Sequence, residues 1–442
     1  MTITVLMRVE ELTPDRLADF LATYWLGWER FRCIPVQRAP GWYWEQDPVF
    51  SLSHHLEVVN DTFDEDQLQN WVSARLNQPL PDYRPRWKFW LLPNARGGAA
   101  LLLRIHHCYA DGLSLMGVFD QICTRSPQQA PVYYGAREGG EFRRWSGALR
   151  EWLSTLRSPG GVHGHAGGGD LASVAADLPS SLERTSRVGL RLMNELSQFL
   201  VEPGDSDSSL KAPLLGRRVC RWSAPLALEG FREAAHRLGC TINDVLLASV
   251  TGAVRQHLQT TGVTLDEASV HAAIPVDIRS RLPESLQPAP GALGNYFGTV
   301  FVPLPVDGHS ALEHLYRIKH ETRRLKKSWQ PGIAWGLTGS ACLLPTGVRD
   351  TLRDLMCGKA TAVVSNVPGT RDVRFLAGCR IREQMCWVPQ AGSIGLGISI
   401  VSYAGQLQFG VVADEAILPA PEQFLARCLD ALDHYVPKQP DA

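Results

Sequence analysis

The stretch Ala99-Ala100-Leu101-Leu102-Leu103-Arg104-Ile105-His106-His107-Cys108-Tyr109-Ala110-Asp111-Gly112, running on into Leu113 to Ile122, decides how the chain reads. Residues 99–105 are a near-continuous apolar run introduced by Gly97-Gly98, the mark of a buried strand. Leu113 to Ile122 has the pattern of a helix, so the two histidines lie on a strand-to-helix turn. Neighbouring side chains on a strand face opposite ways, which gives His106 and His107 different surroundings and different work. A neutral imidazole, with an ordinary pKa of about 6.5, suits removal of a proton from a hydroxyl as that hydroxyl attacks. His107, ending the strand, is placed to point into a cleft, with His106 as its support. Asp111 stands beyond the turn, where a carboxylate can hold the backbone by pairing with an arginine from elsewhere, and Gly112 admits close approach of backbone or substrate. Adjacent histidines on a strand share no face and have no third ligand beside them, so no metal is expected.

Outward from this segment, the 442 residues are too many for one ordinary core, and two domains of roughly 200 residues each are expected. With 45% hydrophobic and 20% charged residues the composition is globular. The 44 Lys and Arg nearly balance the 45 Asp and Glu, which argues against nucleic acid as a partner. Ten cysteines without a Cys-x-x-Cys pair argue against a disulfide framework or zinc site and for a reducing, cytoplasmic location. The N-terminus lacks a basic n-region, and no apolar run approaches the length that spans a bilayer.

Thr13-Pro14 caps and opens a helix carrying Leu17, Phe20, Leu21 and Tyr24. Residues 1–140 read as an N-terminal domain, 141–212 as a linker punctuated by Gly167-Gly168-Gly169, and 213–442 as a C-terminal domain. Inside the linker, segments around 142–157 and 182–200 place Trp, Leu and Phe on one helical face beside arginines. Such helices either pack on the protein's own core or lie on a lipid surface. In the C-terminal region Leu226–Leu238 and Thr241–Leu258 read as helices, the second opened by the polar Thr241-Ile242-Asn243-Asp244. Strands are expected at Val270–Pro275, Tyr296–Leu304, Ala360–Ser365, Ile394–Ser402 and Gln406–Ala413, with helices near 310–328 and 421–435. Strands alternating with helices in both halves predict an α/β fold with mixed sheets, and no strict internal repeat is present.

The segment His106-His107-Cys108-Tyr109-Ala110-Asp111-Gly112 resembles the HHxxxDG motif of the bacterial wax ester synthase/acyl-CoA:diacylglycerol acyltransferases. The likeness continues through Pro48-Val49-Phe50-Ser51-Leu52-Ser53-His54-His55, through Pro85-Arg86-Trp87, where the family has Pro-Leu-Trp, and through the Asn243-Asp244 helix. Pro275-Val276-Asp277-Ile278-Arg279, Gly294-Asn295 and Ser365-Asn366-Val367-Pro368-Gly369 are also similar to familial motifs. Typical members begin with a segment and helix ahead of the first strand, whereas this sequence opens at what reads as that strand.

The resemblance implies two chloramphenicol-acetyltransferase-like domains with an active-site channel between them. Acyl-CoA would enter from one side and a long-chain alcohol or diacylglycerol from the other, with acyl-CoA as substrate and no cofactor. It further implies direct transfer with His107 as base and no acyl-enzyme, and a structural Asp111 whose partner is expected to be Arg279. Asn243, Asp244, Asn295, Ser365 and Asn366 are the candidates for holding substrate or the developing oxyanion. It is also compatible with peripheral attachment to the plasma membrane's inner face or to lipid droplets. The same fold and base would serve a condensation-type or natural-product acyltransferase with another acceptor or a carrier-bound donor. A catalytically silent lipid- or protein-binding module is the alternative of another class, against which an intact His107 argues.

Overall fold

The computed structural model describes residues 1–38, 41–132, 204–282, 287–289, 292–341 and 346–436. The amphipathic segments around 142–157 and 182–200 lie outside the described residues. The first part of the chain forms β1 (Thr2–Val9), α1 (Pro14–Thr23), β2 (Cys33–Arg38), β3 (Gly41–Gln46), β4 (Leu56–Val58), α2 (Glu65–Leu76), β5 (Trp87–Leu92), β6 (Ala99–His106) and α3 (Gly112–Ile122). From residue 204 on there follow β7 (Arg218–Trp222), β8 (Leu226–Ala227), α4 (Leu228–Arg237), α5 (Ile242–Thr260), β9 (His271–Asp277), β10 (Phe297–Pro303), α6 (Ala311–Lys326), α7 (Gln330–Ala341) and α8 (Thr346–Gly358). The chain closes with β11 (Ala362–Pro368), β12 (Phe375–Leu376), β13 (Cys379–Trp387), β14 (Leu396–Tyr403), β15 (Gln406–Asp414) and α9 (Pro421–Leu432). Among the described residues, no helix is long and apolar enough to cross a membrane.

Local signals set the helix starts. Thr13 accepts a bond from the Arg16 amide and Pro14 occupies the first turn of α1, whose Leu17, Phe20 and Leu21 are buried. Asp64 and Gln67 form a reciprocal cap on α2, as Thr241 and Asp244 do on α5. One expected helix starts late: Leu226–Ala227 pairs with Leu407 and Gln406 of β15 before α4 begins at Leu228. Backbone pairing with a sheet edge overrides the helical pattern there.

The first sheet runs β12-β13-β1-β6-β5-β4 and the second β10-β9-β11-β14-β15-β7, with β8 beside β15. Both are mixed: β4 is parallel to β5, and β11 is parallel to both β9 and β14. Strand β6 is paired on both edges, which is why its sequence is apolar except for Arg104 and the terminal His106. The Arg104 guanidinium donates to the carbonyls of Leu76 and Gln78, covering the unpaired C-terminal end of α2.

The two sheets do not respect a boundary near residue 212. Strands β12 and β13, placed by sequence in the C-terminal domain of 213–442, pair into the first sheet, with Thr4 opposite Trp387 and Leu6 opposite Met385. The reason is that β1 has two edges and β6 covers one; β13 supplies the missing ladder. The reverse exchange joins the halves a second time. Helix α2 lies against β7, the end strand of the second sheet, where Ser73 accepts from the Cys220 amide and Gln69 donates to the Trp222 carbonyl. Leu6, Trp90 and Leu102 of the first sheet share a buried cluster with Trp222, Met385 and Trp387.

Candidate active site

The histidine turn is anchored before its chemistry begins. At the end of β6 the His106 amide donates to the Arg86 carbonyl on one side, 2.8 Å, and the His107 amide to the Met1 carbonyl on the other, 2.9 Å. The buried Tyr109 then closes the turn: its hydroxyl donates to the Cys33 carbonyl at 2.7 Å and accepts from the Arg86 amide at 3.0 Å. Trp87, next along, is stacked by His55, whose Nδ1 donates to the Trp87 carbonyl at 2.8 Å. The motif-like segments at 48–55 and 85–87 therefore meet under the turn. Arg86 serves it through its backbone, and Arg86 is not among the residues of the channel wall.

Asp111 caps α3, accepting from the Ser114 amide at 2.7 Å, and both of its oxygens continue into the second half of the chain. Arg279 Nη2 lies 2.8 and 2.9 Å from the two oxygens, and the Tyr296 amide donates to Oδ2 at 2.7 Å. Ser114 Oγ accepts from the same guanidinium and donates to the Gly294 carbonyl. The Asp111 side chain is 6% exposed and Arg279 22%, so the pair is a largely desolvated bolt between the halves. With every oxygen occupied, Asp111 shapes the turn and is not aimed at a substrate.

Between the halves lies a cavity of about 930 Å³. Its walls are Ile3, Val5 and Met7 of β1, the inner face of α3, strands β9 to β11 and the inner face of α8. His107 is in this wall, its ring 5.4 Å from that of Phe297, whereas His106 is not. His106 Nδ1 accepts from the Cys108 amide and so braces the turn. Burial pushes the His107 imidazole below the ordinary histidine value, although the Asp111 carboxylate and Asn295 act the other way. Burial likewise takes His106 down to about 4. Near neutral pH His107 is therefore the uncharged form, the one able to accept a proton. The thiols that face the same cavity are pushed the opposite way: burial raises Cys123 and Cys386 to about 12, which keeps them protonated and poorly nucleophilic.

The remaining candidates divide. Asn243, Ser365 and Asn366 line the cavity with His107, and Ser365 is buried. Asn295 does not line it; its Nδ2 donates to the His107 carbonyl at 2.9 Å and its own backbone carbonyl accepts from Trp335 Nε1, which makes it a positioning residue for His107. Asp244 does not line this cavity. Being the third residue of α5, it turns back to accept from the Thr241 amide through Oδ2, and Oδ1 accepts from Thr322 Oγ1. The wall supplied by α8 was missed by the sequence reading. Leu352 and Met356, with Arg349 and Arg353, recur four residues apart on the face that lines the cavity, a spacing that would have shown it.

Gly112 also lines the cavity, and a Cβ built on it meets no protein atom within 4 Å. Its lack of a side chain is thus required by neither backbone nor packing, and leaves room for a ligand. Gly112→Leu is expected to melt no lower than the parent, since glycine costs a helix about 0.5–1 kcal/mol. Its kcat/KM should nevertheless fall roughly tenfold to a hundredfold, as a reactant displaced by about 1 Å does. A thermal melt and steady-state kinetics check the pair of outcomes, and unchanged kinetics would contradict the assignment.

Two family models and the named relatives point to one family. The profile described as the wax ester synthase/diacylglycerol acyltransferase catalytic domain matches residues 29–246, and that of the WS/DGAT C-terminal domain matches 293–435. The first span holds the histidine turn and Asn243, the second Asn295, Ser365 and Asn366. A Mycobacterium tuberculosis relative bearing a diacylglycerol O-acyltransferase name is 27% identical over 395 residues, 84% of this chain and 77% of the relative. The fold is similar to that of the wax ester synthase/diacylglycerol acyltransferase of Marinobacter aquaeolei, with a TM-score of 0.64 at 19% identity over 98% of this chain and 94% of that one. It is also similar to the trichothecene 15-O-acetyltransferase of Fusarium sporotrichioides, with a TM-score of 0.63 at 12% identity over 98% and 91% of the two chains.

Proposed function

The chain belongs to the wax ester synthase/diacylglycerol acyltransferase family, and from that premise we propose that it moves a fatty acyl group from acyl-CoA to a long-chain alcohol or diacylglycerol, with His107 as the general base. The observation that carries this reading is a buried imidazole, its pKa lowered by that burial, in the wall of a mostly apolar channel shared by both halves of the chain. The acceptor hydroxyl gives its proton to His107 as its oxygen attacks the thioester carbonyl. The tetrahedral oxyanion faces the polar part of the wall, where the Ser365 hydroxyl and the amide nitrogens of Asn243 and Asn366 have hydrogens to donate. Collapse breaks the carbon–sulfur bond, and the imidazolium returns the proton to the departing CoA sulfur. Proton and charge balance between hydroxyl, imidazole and thiol, so no cofactor enters the scheme. The protonated cavity thiols support transfer without a covalent intermediate.

The test is ester formation by the purified protein from palmitoyl-CoA with a long-chain alcohol, a diacylglycerol and a short polar alcohol in parallel. Wax ester or triacylglycerol is expected, and no ester from any acceptor would overturn the reading. Because catalysis uses the neutral form, kcat/KM should fall on the acid side only. The midpoint of that limb should lie below about 6.5, the direction in which burial moves His107. A limb centred above that value would assign the base elsewhere.

A further inference from the structure

Strands β9 and β11 run side by side at the centre of the second sheet, yet they are paired only at Ala272 with Ala362 and at Ala273 with Val363. Beyond this point β9 stays in register with β10 as far as Asp277, and β11 with β14 as far as Pro368. Between them the sheet is split. Pro275, two residues past the last pair, has no amide hydrogen to offer a ladder, which suits a strand that has become an edge.

The split opens from one cavity into another. Pro275, Val363 and Ser365 face the His107 channel, while the alternate residues Ile274, Val276 and Val364 face the other side of the sheet. There they line a second cavity of about 240 Å³ together with Leu246 and Leu247 of α5 and Leu325 of α6, while Asp244, Arg281, Thr322 and Lys326 are the charged and hydroxyl residues of its wall. Asn243, Pro275 and Asn366 line both spaces. Asn366 Nδ2 donates to Asn243 Oδ1, so the two amides stand together at the opening. Asn243 is exposed and Asn366 half-buried, and separating them leaves each amide within reach of water in the channel.

We propose that the chamber behind the second sheet receives the far methylenes of the acyl chain, threaded through the β9/β11 split, and that the Asn243–Asn366 pair is the gate that sets which chain lengths are accepted. The proposal rests on acyl-CoA being the donor. An alkyl chain asks for no hydrogen-bond partner and gains from an apolar wall, each methylene denied burial weakening binding roughly fourfold. The hydrocarbon end is thus read by depth, and the thioester stays in the channel with His107.

The experiment is the ratio of kcat/KM for palmitoyl-CoA to that for hexanoyl-CoA, with one long-chain alcohol as acceptor. Val364→Phe and Leu247→Phe fill the chamber from two walls and should lower the ratio at least about tenfold, the loss of roughly two buried methylenes. Asn366→Ala shortens a half-buried side chain, leaves the core untouched and should raise the ratio by moving the optimum to longer chains. If the Asn366→Ala ratio, together with that of whichever filling variant folds by circular dichroism, equals the parent's, the chamber is a packing void and the proposal is overturned. A parent that makes no ester from either thioester fails the proposed function instead, so the two failures are distinguishable.

Discussion

His107→Ala is expected to lower kcat for ester formation by about 10²–10⁴-fold, the usual contribution of a positioned general base. The KM for acyl-CoA should change little. The imidazole is one element of a long wall shared by many residues, and its removal takes away a proton acceptor more than a binding surface. His106→Ala should behave differently. Its ring is outside the channel and braces the turn by accepting from the Cys108 amide, so the substitution should lower the melting temperature and cost kcat less than tenfold. Steady-state assays of both variants beside thermal melts separate the roles. Equal losses of kcat in the two would mean that neither histidine alone is the base.

The second large effect is on stability. Asp111→Ala removes the acceptor for the α3 amide at Ser114, for the Tyr296 amide and for Arg279, and leaves that largely buried guanidinium with Asp277, bound at Nη1, as its remaining carboxylate. Breaking one partner of a buried pair costs about 3–5 kcal/mol. The first unfolding transition in urea should shift by an amount of that order. Arg279→Ala should cost less, because Asp111 keeps its two backbone donors. The double variant should be more stable than the sum of the single losses implies, which identifies the pair as coupled. Additive losses would show that the bolt is only two separate contacts.

The parts of this architecture legible in the sequence are those set by short-range chemistry. The apolar run 99–105, the cap at Thr13-Pro14 and the polar start of α5 each announce an element within a few residues. The histidine turn was legible for the same reason, since a strand, a turn and a helix follow one another there without a gap. What escaped is non-local. Nothing near Cys379–Trp387 says that it pairs with β1, because the demand for it arises at a strand edge more than 370 residues away. Asn295 could be picked out as polar and motif-like, but its role depends on a carbonyl 188 residues distant. Asp244 stands beside Asn243 in the sequence, and only the fold shows its carboxylate engaged by the cap of α5 and by Thr322, at the wall of the second cavity. The proline of Pro275-Val276-Asp277-Ile278-Arg279 was noticed as a motif, and only the pairing of β9 shows it standing at a split in the sheet.

Both large effects bear on one account: the turn, locked to the second half through Asp111 and Arg279, holds an uncharged His107 where two substrates meet, and the acyl group passes between them directly. Initial rates measured while acyl-CoA and alcohol are varied together, with the intact mass of the protein recorded after exposure to acyl-CoA alone, test this most directly. Intersecting double-reciprocal lines and an unmodified protein are expected. Parallel lines with an acyl group attached to the chain would contradict it.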